Sequence, residues 1–194
     1  MPEQSPARHV RDLRVLIGGH DCVPEDEFFE YTPWFAKAEK VSLFGDGRFS
    51  PLRTPSFWRL PQSVTSLAIQ TKVFTLVDIR DILAQLPNLD DFSLSGHLAR
   101  GREPLEVGTA LGGRFGGKLQ LFDGPAQEDV MNMLSEIQTG LRFTEMQVCG
   151  TRRSLLSTVR LAEACGSTLV GLSYTISESG KSHSFRSWWL WHLH

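Results

Sequence analysis

One spacing constrains this chain more than any other feature. A pair of apolar residues separated by one polar or small residue recurs seven times, as Leu13/Val15, Val41/Leu43, Leu67/Ile69, Phe92/Leu94, Leu119/Leu121, Met146/Val148 and Leu172/Tyr174, at intervals of 25 to 28 residues. Alternation of period two marks a strand with one buried face. Seven strands at near-constant spacing predict a repeat architecture, each connection bringing the next strand alongside in parallel. An apolar residue three positions ahead of the pair reinforces the pattern at Val10, Val64, Leu89, Phe143 and Leu169. Ala38 fills that slot weakly and Gly116 does not fill it.

The clearest unit is 72–96. Thr75 and Asp78 have capping-box spacing, in which each side chain satisfies an N–H at a helix start. Leu76, Ile79, Leu83 and Leu86 then form one apolar stripe, Pro87 ends it, and Leu89, Phe92 and Leu94 make the strand that follows. Two more connections read as helices. Residues 128–137 carry Val130, Met133, Leu134 and Ile137; residues 154–165 carry Leu155, Val159 and Ala162, with Ser154 as N-cap and Gly166 as the stop. Pro33 breaks any helix across 25–37, residues 45–61 with Pro51, Pro55 and Pro61 read as a loop, and the glycine-rich stretch 96–117 has room only for a short helix at 105–111.

The chain of 194 residues, 41% hydrophobic and 22% charged, is ordinary for a globular protein with one core. A net charge of -2 without long runs of either sign gives no reason to expect nucleic acid or a membrane surface as partner. No secretory signal stands at the start, and no window approaches the ~18 apolar residues of a membrane span, so the expected location is cytoplasmic or nuclear. Cys22, Cys149 and Cys165 are odd in number and lack C-x-x-C spacing, which argues against a disulfide framework or a zinc cluster. No cofactor or metal is expected.

Candidate chemistry is sparse. Gly112, Gly117 and Lys118 have phosphate-loop spacing, but Leu119 stands where Ser or Thr is needed and the stretch precedes a strand instead of opening a helix. His20 and Cys22 contain the elements of an activated thiolate, the basis of an alternative reading as a hydrolase or transferase if folding makes them converge. His183, His192 and His194 lack metal-ligand spacing. Met131, Met133 and Cys165 read as core.

The repeat length and the run Leu86, Leu89, Phe92, Leu94 resemble the leucine-rich repeat, over nearly the whole chain. The resemblance implies an α/β solenoid of about seven degenerate strand-helix repeats over residues 1–178. Strands ~4.8 Å apart and helices ~10 Å apart would curve it, with a parallel sheet on the concave face. The family's Asn or Cys ladder position holds Gly18, Asp46, Lys72, His97, Gly124, Thr151 and Ser177 here, so no ladder exists. The phrases LPQSVTSLAIQT, LAQLPNLDDFSLSG and LLSTVRLAEACGSTLVGLSY resemble the repeat region of fungal, notably basidiomycete, F-box-type proteins. That resemblance implies a non-enzymatic recognition module, the substrate-binding part of an adaptor for a cullin-RING ubiquitin ligase. No F-box is present, and Val10 already ends a repeat, so truncation or a gene fragment without independent function is a further expectation. A Skp-type adaptor would bind only through an upstream F-box.

The outward strand positions are the candidate protein-binding face. Arg14, Ser42, Ala68, Ser93, Gln120, Gln147 and Ser173 form its middle row. Lys40, Asp91, Lys118 and Glu145 lie on one flank, and Phe44, Gln70, Phe122 and Thr175 on the other. Aromatic groups among adaptable polar ones have the chemistry of a binding hot spot. Residues 179–194, with Trp188, Trp189 and Trp191, are expected to form a capping segment or an exposed tail.

Overall fold

A computed structural model describes residues 6–17, 32–45, 60–70, 74–96, 98, 115–122, 127–136, 141–178 and 181–185. Its frame is one sheet. Strands β1 (Asp12–Ile17), β2 (Lys40–Gly45), β3 (Ser66–Gln70), β4 (Asp91–Ser95), β5 (Phe115–Phe122), β6 (Leu141–Gly150) and β7 (Gly171–Glu178) lie in chain order and pair in parallel. β8 (Lys181–Phe185), within the stretch expected as a tail, adds to β7 antiparallel. Helices α1 (Leu76–Ala84), α2 (Gln127–Ser135) and α3 (Leu155–Cys165) connect β3 to β4, β5 to β6 and β6 to β7, which makes the protein an α/β fold.

The register follows the apolar pairs throughout. Leu13 faces Val41, and the series continues through Leu67, Phe92, Leu119 and Met146 to Leu172. Slipping by one residue would turn each pair to the other side of the sheet, so burial of one face fixes the pairing. Val41, Leu43, Leu67, Ile69, Phe92, Leu94, Leu119, Leu121, Met146 and Val148 share one core with Ile79, Ile82 and Leu83 of α1, Val130, Met131 and Leu134 of α2, and Leu161 of α3. The pairs at both ends are less enclosed, with Leu13, Leu172 and Tyr174 only partly buried.

Hydrogen bonds before the strands repeat as well. The Arg11 carbonyl accepts from the N–H groups of Glu39 and Lys40, that of Glu39 from Thr65 and Ser66, and that of Thr65 from Asp90 and Asp91, all at 2.8–3.0 Å. Ala38, the weak slot, is fully buried. At Gly116 the repeat is displaced: Phe115, one residue earlier, is the buried anchor. The register with β6 shifts at the same place, where Thr144 falls between the partners of Gly117 and Lys118, and Gly117 has a φ of 62°. The Asp90 carbonyl then accepts from Lys118 at 2.7 Å.

The capping box of α1 forms. Asp78 N–H donates to Thr75 Oγ1 at 3.2 Å, and Thr75 N–H donates to Asp78 Oδ2 at 2.7 Å, which accounts for a buried carboxylate. α2 begins one residue ahead of the predicted start, and Ile137 lies outside the described residues. α3 has the predicted bounds and ends at Gly166 with φ 57°, but its predicted stripe faces outward. Ser154, Ser157, Thr158, Leu161 and Cys165 are the buried side, while Leu155 and Val159 are exposed. Small hydroxyl residues can face the core because their polar atoms are satisfied locally: Thr158 Oγ1 bonds the Ser154 carbonyl at 2.9 Å and meets Met131 Sδ at 3.2 Å. Ser154 makes no side-chain cap bond to α3; its Oγ accepts from Thr151 N–H at 3.0 Å. The predicted loop residues 46–59 and the short helix at 105–111 fall outside the described residues.

Candidate functional site

Because side chains alternate along a strand, the residues between the core pairs stand on the opposite face of the sheet. α1, α2 and the Thr158/Leu161/Cys165 side of α3 pack on the single core, and among the described residues no helix covers this second face. Its middle row is continuous in register from Arg14 through Ser42, Ala68, Ser93, Gln120 and Gln147 to Ser173. Gln120 Nε2 donates to Gln147 Oε1 across β5 and β6 at 3.2 Å.

One flank is a charge row. Asp91, Lys118 and Glu145 are consecutive neighbours on β4, β5 and β6. Lys118 Nζ stands 2.8 Å from Glu145 Oε2, with about half of each side chain open to solvent. The hydrogen bond to Glu145, and then its charge, raise the Lys118 pKa above the ordinary value; Asp91 adds to the same direction. Adjacent opposite charges fix each other's orientation at small net energy on an exposed surface. The structure therefore brings Asp91, Lys118, Glu145, Gln120 and Gln147 into one patch.

The aromatic pair is not part of it. Phe44 and Phe122 stand on the other flank, both half-buried, with Gln70 and Ser95 in register between them. Three strand spacings separate them by about 14 Å, so they do not form a joint hot spot. Leu16, 65% exposed and the register neighbour of Phe44, belongs to the same flank and was missed by the sequence reading. Its signal is plain in retrospect: apolar residues occupy both faces of β1 across Leu13, Val15 and Leu16.

His20 and Cys22 lie outside the described residues, as do His192, His194 and Gly112. Gly117 and Lys118 of the phosphate-loop-like stretch are inside β5, not at a helix start. Among the described residues, no group of three or more His, Cys, Asp or Glu could hold a metal ion, and no helix is long and apolar enough to cross a membrane.

A polar cluster that the apolar pattern conceals sits at the end of β6. Tyr174, in a slot where other strands carry Leu, Val or Ile, places its hydroxyl 2.9 Å from Ser154 Oγ and donates to the Thr151 carbonyl. Burial raises the Tyr174 pKa, the Ser154 hydrogen bond opposes that shift, and Cys149 reinforces it. Gly150 leaves room for the cluster, since a Cβ there would come within 2.4 Å of Ser154 Oγ.

Cys165 is a core group. Burial pushes its thiol pKa up to about 11, against a smaller opposing hydrogen bond from Phe143. The unfolded chain would lose this proton first, so the thiol's contribution to stability is full below about pH 9 and declines as pH rises toward 11. Maleimide labelling followed by peptide mass analysis should show Cys165 modified at least ~10-fold more slowly than an exposed cysteine at pH 8, with the difference vanishing in denaturant. Equal rates in the folded chain would contradict the burial.

No protein-family model matches the chain, and no curated protein or solved structure matches it either.

Proposed function

We propose that the chain is a leucine-rich-repeat-like recognition module whose sheet face opposite the helices binds a protein partner, without catalytic activity of its own. The observation that carries this reading is the continuous row from Arg14 to Ser173, flanked by the Asp91/Lys118/Glu145 charge row. A parallel face that no described helix covers is a broad surface, and its polar side chains offer hydrogen bonds at regular intervals. On the resemblance to fungal F-box repeat proteins, the partner is a substrate of a cullin-RING ubiquitin ligase, met in the cytoplasm or nucleus. Engagement of a Skp-type adaptor then requires an F-box segment joined upstream.

The test is a pull-down from a fungal lysate with quantitative mass spectrometry, comparing the wild-type chain with Lys118→Glu and with Phe44→Glu/Phe122→Glu. Lys118 is exposed, so its variant should keep the fold, as circular dichroism would verify. Partners enriched by the wild type should fall at least ~10-fold with Lys118→Glu, because a like-charge contact at an interface costs more than a kilocalorie per mole. Partners retained by both face variants would place recognition elsewhere.

A further inference from the structure

β1 is an outer strand of the sheet, with β2 as its one strand neighbour among the described residues. Its backbone shows which residues serve the open side. The Arg11 carbonyl accepts from Lys40 of β2, and the N–H and C=O groups of successive strand residues turn to alternate sides. Those of Leu13 and Val15 therefore also serve β2, while those of Asp12, Arg14 and Leu16 point to the open edge. An open edge can accept a further strand. Its side chains are accessible as well: Arg14 Nη2 lies 3.6 Å from Asp12 Oδ2, with 74% and 49% of the two side chains exposed, and Leu16 is 65% exposed.

The charges identify an occupant. Consider an antiparallel copy of β1 pairing through the same edge groups. Opposing Asp12 to itself, or Arg14 to itself, sets like charges face to face, which is unfavourable. The register between those two puts Leu13 opposite Leu13 on a two-fold axis and sets Asp12 of each copy opposite Arg14 of the other. Each charge then has an opposite charge beside it in its own strand and another across from it, a closed square. The same register makes the two Asp12/Arg14 pairs the hydrogen-bonded ones, because the backbone groups of both residues point to the edge. A two-fold perpendicular to the sheet keeps the core faces of both copies on one side and their opposite faces on the other. β8, at the other edge, carries Lys181 and no acidic residue, so two copies of it form no such pair.

We propose that β1 pairs with β1 of a second copy, antiparallel about Leu13, giving a symmetric dimer with one continuous sheet. This inference is independent of what the sheet face binds. A contact one strand wide is a small interface, so the dimer belongs to the concentrated protein. Sedimentation equilibrium of the full chain up to the millimolar range tests it. The wild type should dimerise. Asp12→Arg and Arg14→Asp, each checked for folding by circular dichroism, should each associate at least ~10-fold more weakly, because both set like charges across the axis. Mixing the two variants should recover dimers, since every acidic position then opposes a basic one. The reciprocal variant Asp12→Arg/Arg14→Asp restores the square within one chain and should dimerise like the wild type, a readout that needs neither single variant. A monomer at every concentration, dimers that the single variants leave intact, or no recovery in the mixture and the reciprocal variant would each overturn the pairing.

Discussion

Replacing Phe92 with alanine is expected to lower the unfolding free energy by about 3–5 kcal/mol, the cost of deleting a buried aromatic ring whose cavity closes only partly. Phe92 is 1% exposed and stands on β4 in register between Leu67 and Leu119, within the core that α1 and α2 cover. It therefore joins the two halves of the sheet. Single domains hold only ~5–15 kcal/mol in total, so this change removes about a fifth or more of what is available. Urea denaturation of Phe92→Ala beside Ser93→Ala checks it. Ser93 is the adjacent residue on the opposite face, and its change should stay within ~0.5 kcal/mol. Equal losses at both positions would mean that the two faces are not distinguished as the register requires.

Gly117→Ala should cost about 2–5 kcal/mol, although it adds a single methyl group. Two causes combine. The residue has φ 62°, a left-handed conformation that costs an alanine roughly 1–2 kcal/mol. A Cβ would also stand 2.1 Å from the Asp90 carbonyl oxygen, a backbone atom that cannot turn aside. Forcing that atom away would disturb the bond it accepts from Lys118, which positions the charge row; relief by backbone displacement costs a further ~1–3 kcal/mol. Gly116→Ala is the control, because its Cβ would make ordinary contacts, the nearest at 3.5 Å from Asp90 Oδ1. Thermal unfolding should show a large fall in Tm for Gly117→Ala and little change for Gly116→Ala. Similar small effects for both would contradict the strained backbone of β5 at Gly117.

The strands were legible in the sequence because their signal is strictly local: two residues at period two, repeated at 25 to 28 residues, place every pair in register. α1 was equally legible, since its cap, stripe and proline stop agree. α3 was half legible. Its bounds follow from residue preferences, but leucine and valine outweigh serine and threonine in any hydrophobic reading, and only the hydroxyl bonds show why the other side is buried. Gly116 read as a failed slot because Phe115 takes its place in the core, and a register shift beside a left-handed glycine leaves no periodic trace.

For the candidate surface, the rows were readable and the contacts were not. Lys118 with Glu145 and Gln120 with Gln147 follow from register alone, being 27 residues apart in each case. Whether Phe44 and Phe122 act together depends on how many strands lie between them, which only the sheet order reveals. The Tyr174 cluster could not be read, because a tyrosine in an apolar slot packs as a ring and bonds as a phenol.

Recognition through the sheet face opposite the helices is tested most directly by placing a photo-crosslinking amino acid at Gln120 and, separately, at Glu163 on the exposed side of α3. Irradiation in a fungal lysate should crosslink the same partners from Gln120 that the wild-type chain enriches, and none of them from Glu163. Capture of those partners from Glu163 but not from Gln120 would contradict it and move recognition to the helix layer.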